Sequence, residues 1–192
     1  MKVRSVSFDT SFLLNKNTSI DQVIKILSHD NIPCFITTTV LSELEQLMVW
    51  GRISKKEYNM AIKRTKKTRV KIIDFKNRLL SDTLTRECVY SMQEHHGVES
   101  KNIINDCNIL VKTLKNGVDI FLSQDFHFTS KITRDVIDEV SNQACTEFQM
   151  MCDTNLYSID AITFLEAYQM REIDIDVVNS RIKSIKKDRK KL

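Results

Sequence analysis

The sequence predicts an α/β fold: one parallel β-sheet of four to five strands, flanked by helices on both faces. Three observations carry this prediction. Short apolar or β-branched runs alternate with amphipathic helical segments along the chain, the pattern of a parallel sheet joined by crossover helices. The run "DIFLS" (119–123) has an unbroken apolar centre, as a strand buried on both faces requires. The 192 residues include only three glycines and one proline, with no repeat and no linker-like stretch, so the alternation belongs to one domain.

The elements follow in order. "VRSVSFD" (3–9) reads as a strand feeding a turn at Asp9-Thr10-Ser11. In "SIDQVIKILSHD" (19–30), Ile20, Val23, Ile24 and Leu27 recur at helical spacing behind a Thr18 or Ser19 cap. "PCFITTT" (33–39) is strand-like through its β-branched residues. "VLSELEQLMVW" (40–50) is a helix with a Val40, Leu41, Leu44, Leu47, Met48 stripe, ended by Gly51, and 54–68 is a second, basic helix. "VKIIDF" (70–75) reads as a short strand before a long helix that stops at Gly97; His95 and His96 suit its C-terminal turn. A helix over 101–115 ends at Asn116-Gly117, and "DIFLS" follows. Residues 131–152 read as a helix, "NLYSI" (155–159) as a last strand and 160–171 as a helix. The expected organisation is a domain over 1–175, with a helical elaboration at about 129–152, and a basic tail over 176–192.

Composition narrows the class. At 42% hydrophobic and 28% charged residues the chain is globular, and no apolar run approaches the roughly 18 to 20 residues needed to span a bilayer. The N-terminus lacks a signal-peptide pattern, so no membrane role is expected and the expected compartment is the cytoplasm. Five cysteines include no C-x-x-C pair; Cys34 and Cys107 lie in apolar segments and read as buried free thiols of a reducing compartment, without a zinc site. Net charge is only +4, but residues 52–71 carry nine Lys or Arg against Glu57, and residues 181–192 carry seven against Asp188. Basic segments beside an acidic remainder suit a polyanion partner, although solvated helix faces give the same pattern.

One residue breaks its local pattern. Ile103, Cys107, Leu110, Val111 and Leu114 form an apolar stripe, and Asp106 falls on that stripe rather than opposite it. A carboxylate beside a buried face costs several kcal/mol unless something compensates. Three more acids are placed to join it. Asp9 ends the first strand, Asp125 follows "DIFLS", and Glu43 lies early in the helix that leaves "PCFITTT". Functional groups of parallel α/β sheets gather at the carboxyl ends of strands, so the four acids are expected to converge there. Oxygen donors without Cys or His suit Mg²⁺ or Mn²⁺. Taken singly, Asp9 also reads as an N-cap, Glu43 as a helix-dipole partner and Asp125 as a turn former.

In the order "VSFDTSFLL", "TTTVLSELEQL", "INDCNILVKTL", "DIFLSQDFHF", these segments resemble the signature segments of PIN-domain ribonucleases over residues 3–128. The closing "NLYSIDAITFLEAY" is similar to that family's last strand and helix. The resemblance implies a PIN-like, Rossmann-like fold. It also implies hydrolysis of RNA at an Mg²⁺ or Mn²⁺ site built from Asp9, Glu43, Asp106 and Asp125, leaving 5′-phosphate and 3′-hydroxyl ends. Ser11 and Ser123 correspond to the family's small hydroxyls, which orient a carboxylate or contact phosphate. Lys63, Arg64, Lys66 and Lys67, in the basic helix after Glu43, are candidate RNA contacts. A toxin paired with an antitoxin protein, and a homodimer, are associations the family brings with it. The chain is longer than the compact toxins, at about 129–152 and in the basic tail. The competing readings are a PIN-fold RNA-binding, ribosome-associated or RNA-processing factor with weak or no catalysis, and a flap-type DNA nuclease. His127 is near enough in sequence to Asp125 to line the site, while Trp50 and Phe128 read as core or interface.

Overall fold

The structure, a computed structural model, describes residues 3–97, 99–152, 155–171 and 178. Among these, five strands form one all-parallel sheet: β1 (Val6–Phe8), β2 (Cys34–Thr37), β3 (Lys71–Ile73), β4 (Ile120–Leu122) and β5 (Tyr157–Ile159). Their order is β3-β2-β1-β4-β5. The helices are α1 (Thr10–Leu14), α2 (Thr18–His29), α3 (Thr38–Val49), α4 (Lys55–Lys67), α5 (Arg78–His96), α6 (Ser100–Lys115), α7 (Phe126–Thr129), α8 (Lys131–Phe148) and α9 (Ala161–Met170).

The sheet explains the apolar Val6 and Phe8 of β1 and the apolar centre of "DIFLS". Every residue of β1 and β4 is buried, so helices cover both faces of the central strands. Helices α6 and α8 both pack on α5 as one group; α1, α2, α4 and α9 form a second, and α3 touches both. The core joins Phe8, Phe12, Ile36, Leu44, Leu110, Phe121 and Phe164, from the sheet and from both helical groups. Phe128 is also core, whereas Trp50 is exposed, with the Arg52 guanidinium 5.5 Å above its ring. Among the described residues no helix is long and apolar enough to cross a membrane.

Several boundaries move for local reasons. The turn expected after β1 is the short helix α1, because Asp9 caps it by accepting from Ser11 N–H. Likewise Thr37 caps α3, so that helix starts at Thr38 instead of Val40. Asp125 caps α7, a helix absent from the sequence reading. The segment expected as a helical elaboration is largely α8, which carries the chain from β4 across to β5. Gly97 and Gly117 end α5 and α6 as expected, at φ of +64° and +62°. The basic tail over 176–192 lies outside the described residues, apart from the buried Val178.

The cysteine expectation is corrected. Cys107 is not a free thiol: it is joined to Cys88, with Cα atoms 5.6 Å apart, where α6 packs on α5. A second bridge joins Cys145 and Cys152, leaving Cys34 buried and unpaired. Burial pushes the Cys34 thiol up to about 12, which keeps it protonated and unreactive at neutral pH.

Candidate functional site

Strand order fixes where a site belongs. β1 pairs with β2 on one side and β4 on the other, so the chain reverses its direction of winding between β1 and β4. In open parallel sheets the crevice at such a reversal, outside the carboxyl ends of the strands, is where ligands bind. Phe8 is in register with Leu122, so Asp9 and Ser123 leave the sheet side by side at this point. Asp9 N–H donates to Leu122 O at 2.9 Å, which holds the two exits together.

Asp9 is 3% exposed and firmly held. Its Oδ2 accepts from Ser11 Oγ at 2.5 Å and from Ser123 Oγ at 2.9 Å, and the two hydroxyl oxygens lie 3.1 Å apart. Those serines also brace the next turn, since Gln124 N–H donates to Ser11 Oγ and Asp125 N–H to Ser123 Oγ, both at 3.0 Å. Burial raises the Asp9 carboxyl above its ordinary range, and the Ser11 and Ser123 hydrogen bonds oppose that rise. Asp125 accepts from His127 N–H at 2.8 Å, as the cap of α7.

Glu43 arrives from α3, whose N-terminus starts at the carboxyl end of β2. Thr10 Oγ1 donates to Glu43 Oε2 at 2.5 Å, tying α3 to α1. Burial raises this carboxyl too; the Thr10 bond lowers it, and the Asp9 charge adds to the rise. Asp106 comes from the N-terminal half of α6, which runs back towards the start of β4 and so presents this half to the carboxyl edge. Its neighbours on the stripe (Ile103, Cys107, Leu110, Val111 and Leu114) are buried as expected, and Asp106 itself is half-buried. Among the described residues no hydrogen-bond donor reaches its carboxylate. Burial, then the charges of Asp9, Glu43 and Asp125, push it up to about 8.

A second ring of polar groups stands behind the acids. Lys112 Nζ donates to Asp74 Oδ1 at 2.8 Å, Thr38 Oγ1 at 2.9 Å and Thr39 Oγ1 at 3.0 Å. Thr39 Oγ1 in turn donates to Asn108 Oδ1 at 2.5 Å. These bonds join α6 to α3 and to the end of β3, and so fix the helix that carries Asp106 against the helix that carries Glu43. Sequence reasoning missed Thr10, Thr39, Asn108 and Lys112. Spacing gave a signal only for Thr39, which stands four residues before Glu43 on the same face of α3; Asn108 and Lys112, also four apart, lie off the Asp106 stripe.

The basic candidates separate by face. Lys63, Lys66 and Lys67 are exposed along α4. Arg64 is not available to a polyanion. It is 5% exposed, and its guanidinium donates to Leu13 O at 2.7 Å, Asn15 O at 2.6 Å and Asp21 Oδ1 at 3.0 Å. It anchors α4 on the end of α1 and the start of α2. His95 is also committed elsewhere, 3.0 Å from Glu139 across α5 and α8.

Whether the acids suit a divalent cation is tested by their own chemistry. The donors are all carboxylate or hydroxyl oxygens, and Asp106 combines desolvation, like-charge neighbours and no hydrogen-bond donor. That is the electrostatic demand a hard cation meets. Geometrically, no group of three His, Cys, Asp or Glu among the described residues is disposed to hold one ion. The four carboxylates therefore share one electrostatic field without forming a ready ligand cage. No protein-family model matches the chain, and no curated protein matches it significantly.

Proposed function

We propose that this chain is a metal-dependent endoribonuclease of the PIN type, using Asp9, Glu43, Asp106 and Asp125 to hold Mg²⁺ or Mn²⁺ at the carboxyl edge of its sheet. One observation carries the proposal. Asp106 faces three other acids from a desolvated position, an arrangement that weakens the folded state unless a cation is drawn to it. When bound, such an ion supplies a water activated at neutral pH and a counter-charge for the leaving oxygen. The chain's own groups do the positioning. Ser11 and Ser123 fix Asp9, Thr10 fixes Glu43, and Lys112 with Thr39 and Asn108 holds α6 against α3. The exposed Lys63, Lys66 and Lys67 grip phosphates without reading sequence.

A second reading keeps RNA binding and removes the chemistry: an RNA-binding or RNA-processing factor with weak or no catalysis. It is favoured by the lack of any three acids disposed around one ion among the described residues. Incubating the protein with single-stranded and structured RNA and DNA, in Mn²⁺, Mg²⁺ or EDTA, separates the two. The nuclease reading expects RNA cleavage that EDTA abolishes and that Asp9→Asn and Asp106→Asn each remove. Cleavage in EDTA, or full activity in both variants, overturns it. RNA binding without cleavage favours the second reading.

A further inference from the structure

We infer that Phe126 is a base-stacking platform, on whose ring a base rests beside the bound phosphate. The inference rests on the proposed acid site and adds a base-contacting residue to it. Phe126 adjoins Asp125, and its side chain is 73% exposed. Isolated exposed apolar residues are ordinary; a rigidly presented aromatic next to a site acid is not. Two residues on, Phe128 is buried and packs edge-on against Phe121 of β4, with ring centroids 5.7 Å apart. The turn around it is held by Gln124 N–H to Ser11 Oγ, Asp125 N–H to Ser123 Oγ and Thr129 Oγ1 to Asp125 O. The His127 ring meets Phe126 edge-on at 6.3 Å. Core packing and hydrogen bonds thus fix the backbone that presents an outward-facing ring, a pre-organised surface with little conformational freedom left to lose on binding.

The surroundings indicate what lies on that ring. Ser11 joins the Phe126 turn to α1, and α1 leads away from Asp9 to Lys16. There a groove of about 740 Å³ is lined by Lys16, Lys56, Asn59 and Lys63, with Glu57 paired to Lys16 at 2.8 Å. Asp9 therefore stands between the two, tied through Ser11 to the turn that carries Phe126 and followed through α1 by the chain to Lys16. A single strand satisfies both, with a base on the ring and backbone phosphates on the ammonium groups. A continuous duplex does not, because its bases are already stacked and offer no free face.

The test measures binding of a fluorescently labelled single-stranded oligoribonucleotide and of its duplex by anisotropy, in Mg²⁺ and in EDTA, with the full chain. Four proteins are compared: wild type, Phe126→Ala, Phe126→Leu and Phe126→Trp. Stacking predicts that wild type prefers the single strand. It also predicts that Ala and Leu weaken single-strand binding about fivefold or more while Trp restores it. Circular dichroism of all four should coincide, since the side chain is exposed. Equal affinities for wild type and Ala, equal affinities for Ala and Trp, or retention by Leu as good as by Trp would overturn the stacking role. So would a change in oligomeric state on Phe126→Ala, which assigns the ring to a protein contact. If wild type binds through Phe126 but cleaves nothing, the nuclease reading fails and the stacking role stands. If it cleaves and Phe126→Ala binds normally, the converse holds. If it binds no oligonucleotide, both fall.

Discussion

Asp106→Asn should make the metal-free protein more stable, by an amount that depends on pH. Desolvation and the charges of Asp9, Glu43 and Asp125 push the Asp106 carboxyl up to about 8 from an ordinary 3.8. Each tenfold change in proton affinity corresponds to about 1.4 kcal/mol. Holding this group protonated at pH 7, when the unfolded chain would ionise it, therefore costs the fold up to about 4 kcal/mol. The sign follows from the direction of the rise. Below pH 4 both states are protonated and nothing is lost; the penalty grows as pH rises from about 4 to about 8 and is constant beyond. The amide cannot ionise, so the variant escapes that penalty. It should gain roughly 2 to 4 kcal/mol at pH 7, or about 5 to 15 °C in Tm for a chain of this size. Thermal unfolding followed by circular dichroism in EDTA at pH 4, 7 and 8 reads this directly. A Tm difference that does not change with pH, or a variant less stable at pH 7, would refute the electrostatic account of Asp106.

Other perturbations separate neighbouring roles. Lys112 is only 12% exposed, so Lys112→Met leaves Thr38, Thr39 and Asp74 without their shared donor and should cost about 1 to 3 kcal/mol in urea unfolding. The Lys112 bond holds Asp74 below its ordinary value, so that part of the loss should shrink as pH falls through the depressed value, below 3.8. Arg64→Met should destabilise by about 2 to 4 kcal/mol, because two carbonyls and Asp21 lose a buried donor. By contrast, Lys63→Ala should leave stability within about 0.5 kcal/mol and reduce the salt slope of single-strand affinity by roughly 0.7. The reverse pattern for Arg64 and Lys63 would return Arg64 to the binding face.

The acids were legible because their signal is local. Asp9 follows β1 directly, Asp125 comes three residues after the end of β4, and Asp106 interrupts a helical stripe that the structure buries as expected. The sheet was legible for the same reason, since β4 is apolar throughout and Val6 and Phe8 flank the one small polar residue of β1. What escaped depends on which elements meet. Cys107 looks like any small apolar residue until α5 packs on α6 and brings Cys88 to it. Arg64 shares its helix and its charge with Lys63 and Lys66, and only the docking of α4 on α1 turns it inward. Thr10, Thr39 and Lys112 are ordinary helix residues whose partners lie 33 or more positions away. The simpler reading of Asp9 as a helix cap also holds, and Asp125, read as a turn former, caps α7; both roles are compatible with a site because capping uses only part of each carboxylate's acceptor capacity.

The central claim is that four carboxylates at the β1–β4 crevice recruit a divalent cation. Titrating Mn²⁺ into the full chain, with bound ion counted by electron paramagnetic resonance, tests this without reference to any substrate. The account predicts saturable binding by wild type that Asp106→Asn and Asp9→Asn each remove while circular dichroism stays unchanged. Wild type that binds no Mn²⁺, or binding equal in wild type and both variants, would contradict it.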